Sequence, residues 1–261
     1  LLSLDINQLD KTKTLASEGI LYIAFNDAFV KEMINSARSV KQYNPNIKIA
    51  VMSNDLDDSE FIDYFIKINP SHIRAKVDYI GRSPFNKTIY LDSDTIINHK
   101  IDDMFSILDK YDIAGVHDFA RKRKKYSDKI PEYGNIPYGF SEINGGVLCY
   151  AKNERTQQFF DIWKNYFYKY YNMTNGWDQV SLRISLWETS ASLIHLPIEF
   201  NVRGSDNREK VNLPHIREEN GQEHMVARIY HMHVDRNVHT GKYDVSYEDA
   251  VKYCKERHYK F

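Results

Sequence analysis

The chain has 261 residues, enough for one large domain or two small ones. Its 35 Lys and Arg nearly cancel its 36 Asp and Glu, a balance that argues against nucleic acid as a partner. No stretch approaches the ~20 apolar residues of a membrane span, and Cys149 and Cys254 fit no metal or redox spacing.

Residues 1–18 are polar and read as a lead-in. Residues 20–25 are the first predicted strand. Asp27 then caps a predicted helix to about residue 42, with Phe29, Met33, Ile34 and Ala37 on one face. A second strand over 47–52 stops at Asn54-Asp55. This β-α-β opening is the usual start of a parallel nucleotide-binding sheet. Residues 61–68 are expected to be helical, ending at Asn69-Pro70. The apolar run Thr88-Ile89-Tyr90-Leu91 is a buried strand, followed by a helix near 102–110 and a strand over 113–116. Residues 119–141 show no periodicity and contain the run Arg121-Lys122-Arg123-Lys124-Lys125. They are expected to form a mobile loop, its charge facing solvent or an anionic acceptor. A strand over 146–151 and an aromatic-rich helix over 154–168 come next. Asp178 opens another helix, short strands lie at 193–196 and 229–232, and a terminal helix spans 248–257. No repeat or linker divides the chain, so a single mixed α/β domain is expected.

Asp92-Ser93-Asp94 follows the most apolar of these strands. In extended chain, residues two apart point the same way. Both carboxylates are therefore expected to aim at one spot at the carboxyl edge of the sheet, where open α/β sheets bind ligands. Carboxylates about 5 Å apart repel by roughly 3 kcal/mol at an effective dielectric of about 20. A divalent cation removes that cost and suits a diphosphate. Further along, Asn144-Gly145-Gly146 allows close backbone approach to a ligand. Trp177-Asp178-Gln179 puts an indole, a carboxylate and an amide at a helix start, where Asp178 also reads as a plain N-cap. Glu199-Phe200-Asn201-Val202-Arg203, an exposed polar segment after Pro197, also stands where such a site would need one, though taken alone it reads as structural. The strand over 229–232 ends in His231 and His233, and His231 is placed to complete a cation site with Asp92 and Asp94. An oxygen-rich site with one imidazole favours manganese over magnesium, with magnesium as the alternative.

In this order the segments resemble the GT-A fold glycosyltransferases, in particular the family 8-like nucleotide-diphospho-sugar transferases. Thr88 to Thr95 is similar to that group's metal motif, and Asn144-Gly145-Gly146-Val147 to its Asn-Ser-Gly-Val element, with Gly145 for Ser. Asp178-Gln179 resembles its Asp-Gln-Asp element, with Val180 for the last Asp, and Val234 stands nearest to its C-terminal Gly. The resemblance implies a Rossmann-like, mostly parallel sheet flanked by helices. It implies transfer of a hexose or pentose from a nucleotide-sugar donor, UDP-sugar favoured, to a glycan or glycoprotein acceptor, with retention. Phe25, Asn26 and Asp27 would hold base and ribose, with Ser93 near the ribose. Lys76 and Arg82 would approach the diphosphate or the donor sugar. Asn144, Gly145 and Gly146 would line the sugar pocket, Asp178 and Gln179 would face the anomeric carbon, and Trp177 and His233 would meet the acceptor. Asp92, Asp94 and His231 would hold the cation.

Two other readings share these residues. Asp92-Ser93-Asp94 also resembles the nucleophile motif of haloacid-dehalogenase-type phosphatases, but two predicted strands precede it and no second acidic pair follows a strand. A sugar-nucleotide or glycan binder without turnover would keep the same fold. Cys149, in an apolar run, is expected to be a buried thiol, which fits a reducing, cytoplasmic setting. The chain begins with Leu, so a removed upstream anchor would instead place it in the secretory lumen.

Overall fold

The computed structural model describes residues 1–9, 14–203 and 227–259. Among the described residues there are ten strands and nine α-helices, beginning with β1 (Leu2–Asp5), β2 (Ala16–Ile23), α1 (Asp27–Tyr43), β3 (Lys48–Ser53), β4 (Tyr64–Lys67), α2 (Lys76–Tyr79), β5 (Phe85–Leu91), β6 (Thr95–Ile97), α3 (Asp103–Ile107) and β7 (Ile113–His117). The second half holds α4 (Lys124–Ser127), α5 (Pro131–Asn135), β8 (Ile143–Ala151), α6 (Glu154–Lys169), α7 (Tyr171–Thr174), α8 (Gln179–Glu188), β9 (Leu193–His195), β10 (Ile229–His231) and α9 (Tyr247–Tyr259). Eight strands form one sheet in the order β1-β4-β3-β2-β5-β8-β7-β9. All neighbours are parallel except β8, which runs against both β5 and β7. β6 and β10 make a separate antiparallel pair.

The alternation of side chains along each strand fills two apolar layers. Ile20, Tyr22, Ile89, Leu91, Val147 and Cys149 pack with Met33, Ala37 and Val40 of α1 and with Met104 and Phe105 of α3. Leu21, Tyr90, Leu148 and Tyr150 face the other way, onto Phe159, Trp163 and Phe167 of α6 and Leu182 of α8. Helices on both faces force the central strands to be apolar throughout. Chain order reverses between β2 and β5, since β3 and β4 lie on one side of β2 and β5 on the other. The carboxyl ends of β2 and β5 therefore border the crevice that such a switch opens. Antiparallel β8 brings its amino end to the same place, with Val147 opposite Leu91 and the Asp92 N–H donating to the Gly146 carbonyl at 2.8 Å.

Several expectations change. Residues 61–68 are not helical: β4 pairs with β3 on one side and β1 on the other, burying Ile66. Apolar pairs at 61–62 and 65–66 match helical spacing, but so short a run is equally compatible with a strand, and sheet pairing decides. The supposed lead-in contributes β1, an edge strand, and the start of β2. Residues 119–141 carry α4 and α5 and bury Tyr126, Ile130, Tyr133 and Ile136 in an apolar cluster with Val180 and Ile184 of α8. The strand expected from 146 begins earlier, at Ile143, so Asn144, Gly145 and Gly146 all lie inside β8. Asn26, not Asp27, caps α1, its side chain accepting from the Phe29 N–H at 3.3 Å. Cys149 and Cys254 are buried free thiols, and burial pushes both upward in pKa.

The far end of the sheet is tied by Asp112. Its buried carboxylate accepts from the Arg155 guanidinium at 2.7 and 2.8 Å, from Asn153 at 2.7 Å, and from the Ser192 N–H and hydroxyl at 2.7 and 2.8 Å. These donors, Arg155 foremost, hold its carboxyl well below the usual range against the opposing effect of burial. The ionised form is thus favoured by folding, so its contribution is complete above the unfolded carboxyl value of about 4 and fades as pH falls below it. Asp112→Ala should cost about 2–3 kcal/mol at pH 7 and less at pH 3, as read by denaturant melts at both pH values.

Candidate functional site

The crevice at the switch opens into a cavity of about 800 Å³. Asp92 and Asp94 lie on its floor, in the tight turn between β5 and β6. They converge because the chain turns there, not because the strand continues. Three elements fasten the turn: the Thr95 hydroxyl donates to the Asp92 carbonyl at 2.9 Å, the Met232 N–H to the Asp94 carbonyl at 2.8 Å, and Gly146 accepts from Asp92. β10, paired to β6, delivers His231 to the same point. Its Nε2 is 3.3 Å from Asp94 Oδ1 and 3.9 Å from Asp92 Oδ2. One ligand atom from each of Asp92, Asp94 and His231 lies within 4.8 Å of the others, the one such group of metal-binding side chains among the described residues. A Cβ on Gly146 would fall 2.1 Å from His231 Cε1 and 2.8 Å from Asp92 Oδ2. Only glycine lets the strand pass beneath His231 and Asp92, and two carboxylates with one imidazole fit a divalent cation.

Charge in the cavity is balanced pair by pair. Lys76 is buried, with its ammonium 3.2 Å from Asp92 Oδ1, 3.2 Å from Asp178 Oδ2 and 3.2 Å from the Gly145 carbonyl. Burial would lower its pKa, but Asp178 and Asp92 raise it overall, so it stays protonated. Burial likewise works to raise Asp178, and Lys76 and Arg74 more than reverse this, holding its carboxyl below the ordinary value. Asp178 sits at the N-cap position of α8, but its side chain makes no capping bond. Its carboxylate turns toward Lys76 instead. For Asp94, the opposing effect of burial is overcome by His231 and His233, which keep it ionised. His233 Nδ1 lies 3.0 Å from the buried Glu32 of α1, and Nε2 lies 3.7 Å from Asp94 Oδ2. Burial disfavours the charged ring, yet Glu32 and Asp94 raise its pKa to about 9.

Phe25, Lys76, Asp92, Ser93, Asp94, Asn144, Gly145, Gly146, Trp177, Asp178, Gln179, His231 and His233 all line the cavity. Ser93 donates to Glu32 at 3.0 Å. Gln179 uses its amide on the backbone of β8, donating to the Ile143 carbonyl and accepting from the Gly145 N–H at 3.4 Å. Trp177 and His233 touch different neighbours. Arg123 stacks over the Trp177 ring at 4.5 Å, whereas His233 packs against Phe29 and His239. Asn26 and Asp27 do not line the cavity, because Asn26 is used as the α1 cap and Asp27 points to solvent in the first turn. Arg82 is also elsewhere. It precedes β5, at the amino end of the strand, and donates to the Ile6 carbonyl at 2.8 Å.

Sequence reasoning missed Glu32, Arg74 and Asp118, and set Asn201 and Arg203 aside as structural. Glu32 sits mid-helix with nothing local to mark it. Asp118 was within reach, since it directly follows β7 at the carboxyl edge. Asn201 and Arg203 belong to a segment that reads as structural, yet Asn201 is buried beside His231 and Arg203 lines the cavity.

No protein-family profile matches the chain, and no curated protein sequence matches it. Solved structures do. The galactosyltransferase LgtC, in complex with donor and acceptor sugar analogues, superposes with a TM-score of 0.60 at 15% identity, covering 92% of this chain and 96% of that one. The glycosyltransferase GlyE of Streptococcus pneumoniae gives 0.58 at 15% identity over 91% of this chain and 61% of its own. Mouse xyloside xylosyltransferase 1 gives 0.54 at 11% identity over 84% and 98%. The eight-stranded, mostly parallel sheet, its switch point and its helical layers are those of the GT-A glycosyltransferase fold.

Proposed function

We propose that the chain is a divalent-cation-dependent glycosyltransferase. It moves a sugar from a nucleoside-diphosphate donor, UDP-sugar favoured, to a hydroxyl of a glycan or protein acceptor, with retention. The observation that carries this reading is the Asp92–Asp94–His231 group on the floor of a cavity of about 800 Å³ at the switch point. Asp92, Asp94 and His231 would hold the cation, manganese in preference to magnesium, and when bound it supplies Lewis-acid stabilisation of the departing diphosphate.

The remaining roles follow from this chain's own side chains. Lys76 fixes Asp92 and Asp178 at 3.2 Å each and brings a permanent positive charge to the side of the cavity where a diphosphate would be held. Asp178, kept ionised by Lys76, is a weak proton acceptor but a strong fixed negative charge. It suits stabilisation of positive charge at C1 as the C1–oxygen bond breaks. An acceptor hydroxyl attacking C1 then passes its proton to the departing diphosphate oxygen rather than to Asp178, which favours retention over inversion. Phe25 and Phe29 give the cavity an aromatic wall beside β2 for a base.

Nucleotide binding tests the reading before any acceptor is known. UDP should raise the melting temperature in manganese by several degrees and much less after chelation. Equal stabilisation in EDTA and manganese would remove the cation from the account.

A further inference from the structure

The cation group needs an imidazole nitrogen with a free lone pair facing the aspartates, and a chain of buried hydrogen bonds dictates which nitrogen that is. Asp118 is 1% exposed and sits after β7. It is ion-paired with Arg123 at 3.0 Å and Arg203 at 3.2 Å, so its oxygens act only as acceptors. Asn144 lies 3.0 Å from Asp118 Oδ2 and must therefore present Nδ2 to it. The Asn144 Oδ1 then faces the Gly146 N–H at 3.1 Å, a backbone donor that cannot reverse. Asn144 is thus oriented from both ends. The same Oδ1 faces Asn201, 3.1 Å away, which must offer Nδ2. That leaves Asn201 Oδ1 2.8 Å from His231 Nδ1, which must carry the hydrogen. In the neutral ring the lone pair is then on Nε2, 3.9 Å from Asp92 and 3.3 Å from Asp94, where a bound cation would take it.

We propose that Asp118 is a remote positioning residue: through Asn144 and Asn201 it fixes the tautomer of His231 that a cation requires. The metal significance rests on the reading of Asp92, Asp94 and His231 given above. The intermediate residues are shut off from bulk water, with Asn144 6%, Asn201 4% and His231 6% exposed, so solvent does not relax the ordering. Reversing any link places two donors or two acceptors face to face and leaves buried polar groups unsatisfied. Partners that orient a metal-binding histidine in this way typically contribute 10–100-fold in metal affinity. The chain also joins the cation site to the Trp177 wall, since Arg123, bonded to Asp118, lies on that ring.

Two measurements test it. In protein labelled with nitrogen-15 in histidine, long-range proton–nitrogen spectra, recorded where the ring is neutral, should show His231 protonated at Nδ1. Asp118→Asn, which lets both amides turn over, should give a mixture of tautomers. Manganese binding, followed by loss of the free-ion electron paramagnetic resonance signal without donor or acceptor, should weaken 10–100-fold in Asp118→Asn and in Asn201→Leu. The double variant should be little weaker than the weaker single, because both break one chain. A wild-type ring protonated at Nε2 overturns the proposal without reference to any variant. Variants that bind manganese as tightly as wild type overturn it while leaving the cation site standing. A wild type that binds no manganese overturns the cation site and the proposal together.

Discussion

Asp94→Asn should abolish sugar transfer, lowering turnover at least about a thousandfold, the size expected when several kcal/mol of leaving-group stabilisation is lost. Asp92→Asn should do the same. Two crowded carboxylates would ordinarily repel, and removing one would then stabilise the fold. Here the repulsion is already answered: Lys76 and the Tyr90 hydroxyl hold Asp92, and His231 and His233 flank Asp94. Each variant should therefore melt slightly below wild type, not above it. Circular dichroism melts and a transfer assay on the same preparation decide the matter. Turnover within tenfold of wild type in a folded Asp94→Asn protein would exclude the assignment.

Asp178→Asn should lower turnover at least ~100-fold while leaving nucleotide affinity within a few-fold of wild type. Asp178 makes no capping bond, so α8 does not depend on it. The thermal cost comes from Lys76, which loses one of two carboxylate partners but keeps Asp92 and the Gly145 carbonyl. A fall of a few degrees in Tm is expected, not unfolding. Because Lys76 and Arg74 hold Asp178 below the ordinary carboxyl value, the wild-type pH–rate profile should show no acid limb from it above about pH 4. Near-normal turnover in the variant would reduce Asp178 to a counter-ion for Lys76.

The parts of this fold that were legible in the sequence are those with long, one-signed patterns. The strands around Ile20, Ile49 and Ile89 are apolar on both faces because helices cover both faces. The α1 face carrying Met33 and Ala37 has clear helical spacing. What failed was short or paired at a distance. β4 is set by its two neighbouring strands, and β1 is visible only through β4. The interior of 119–141 is held by Tyr133 and Ile136 against α8, contacts that no local period announces. The basic run there also turns partly inward: Lys122 donates to the Gly134 and Ile136 carbonyls, and Arg123 pairs with Asp118.

The site divides along the same line. That Asp92, Asp94 and His231 come together could be read because their residue types and strand-end positions carry chemistry on their own. Arg82 was misplaced because a cation near a strand in sequence does not reveal which end of that strand it occupies. Asp118 was missed and Asn201 set aside because their significance lies in a hydrogen-bond chain spanning β7, β8 and β10, assembled only by the antiparallel insertion of β8.

The most direct test of the central claim is a screen of nucleoside-diphosphate sugars with manganese, reading release of the nucleoside diphosphate from wild type and from Asp94→Asn side by side. At least one donor, a UDP-sugar foremost, should release its diphosphate with wild type, stop on chelation, recover with manganese better than with magnesium, and fail with Asp94→Asn. A wild type that binds donor but releases nothing, with or without added glycan acceptors, would make the chain a binder. Release that survives chelation or Asp94→Asn would contradict the Asp92–Asp94–His231 site itself.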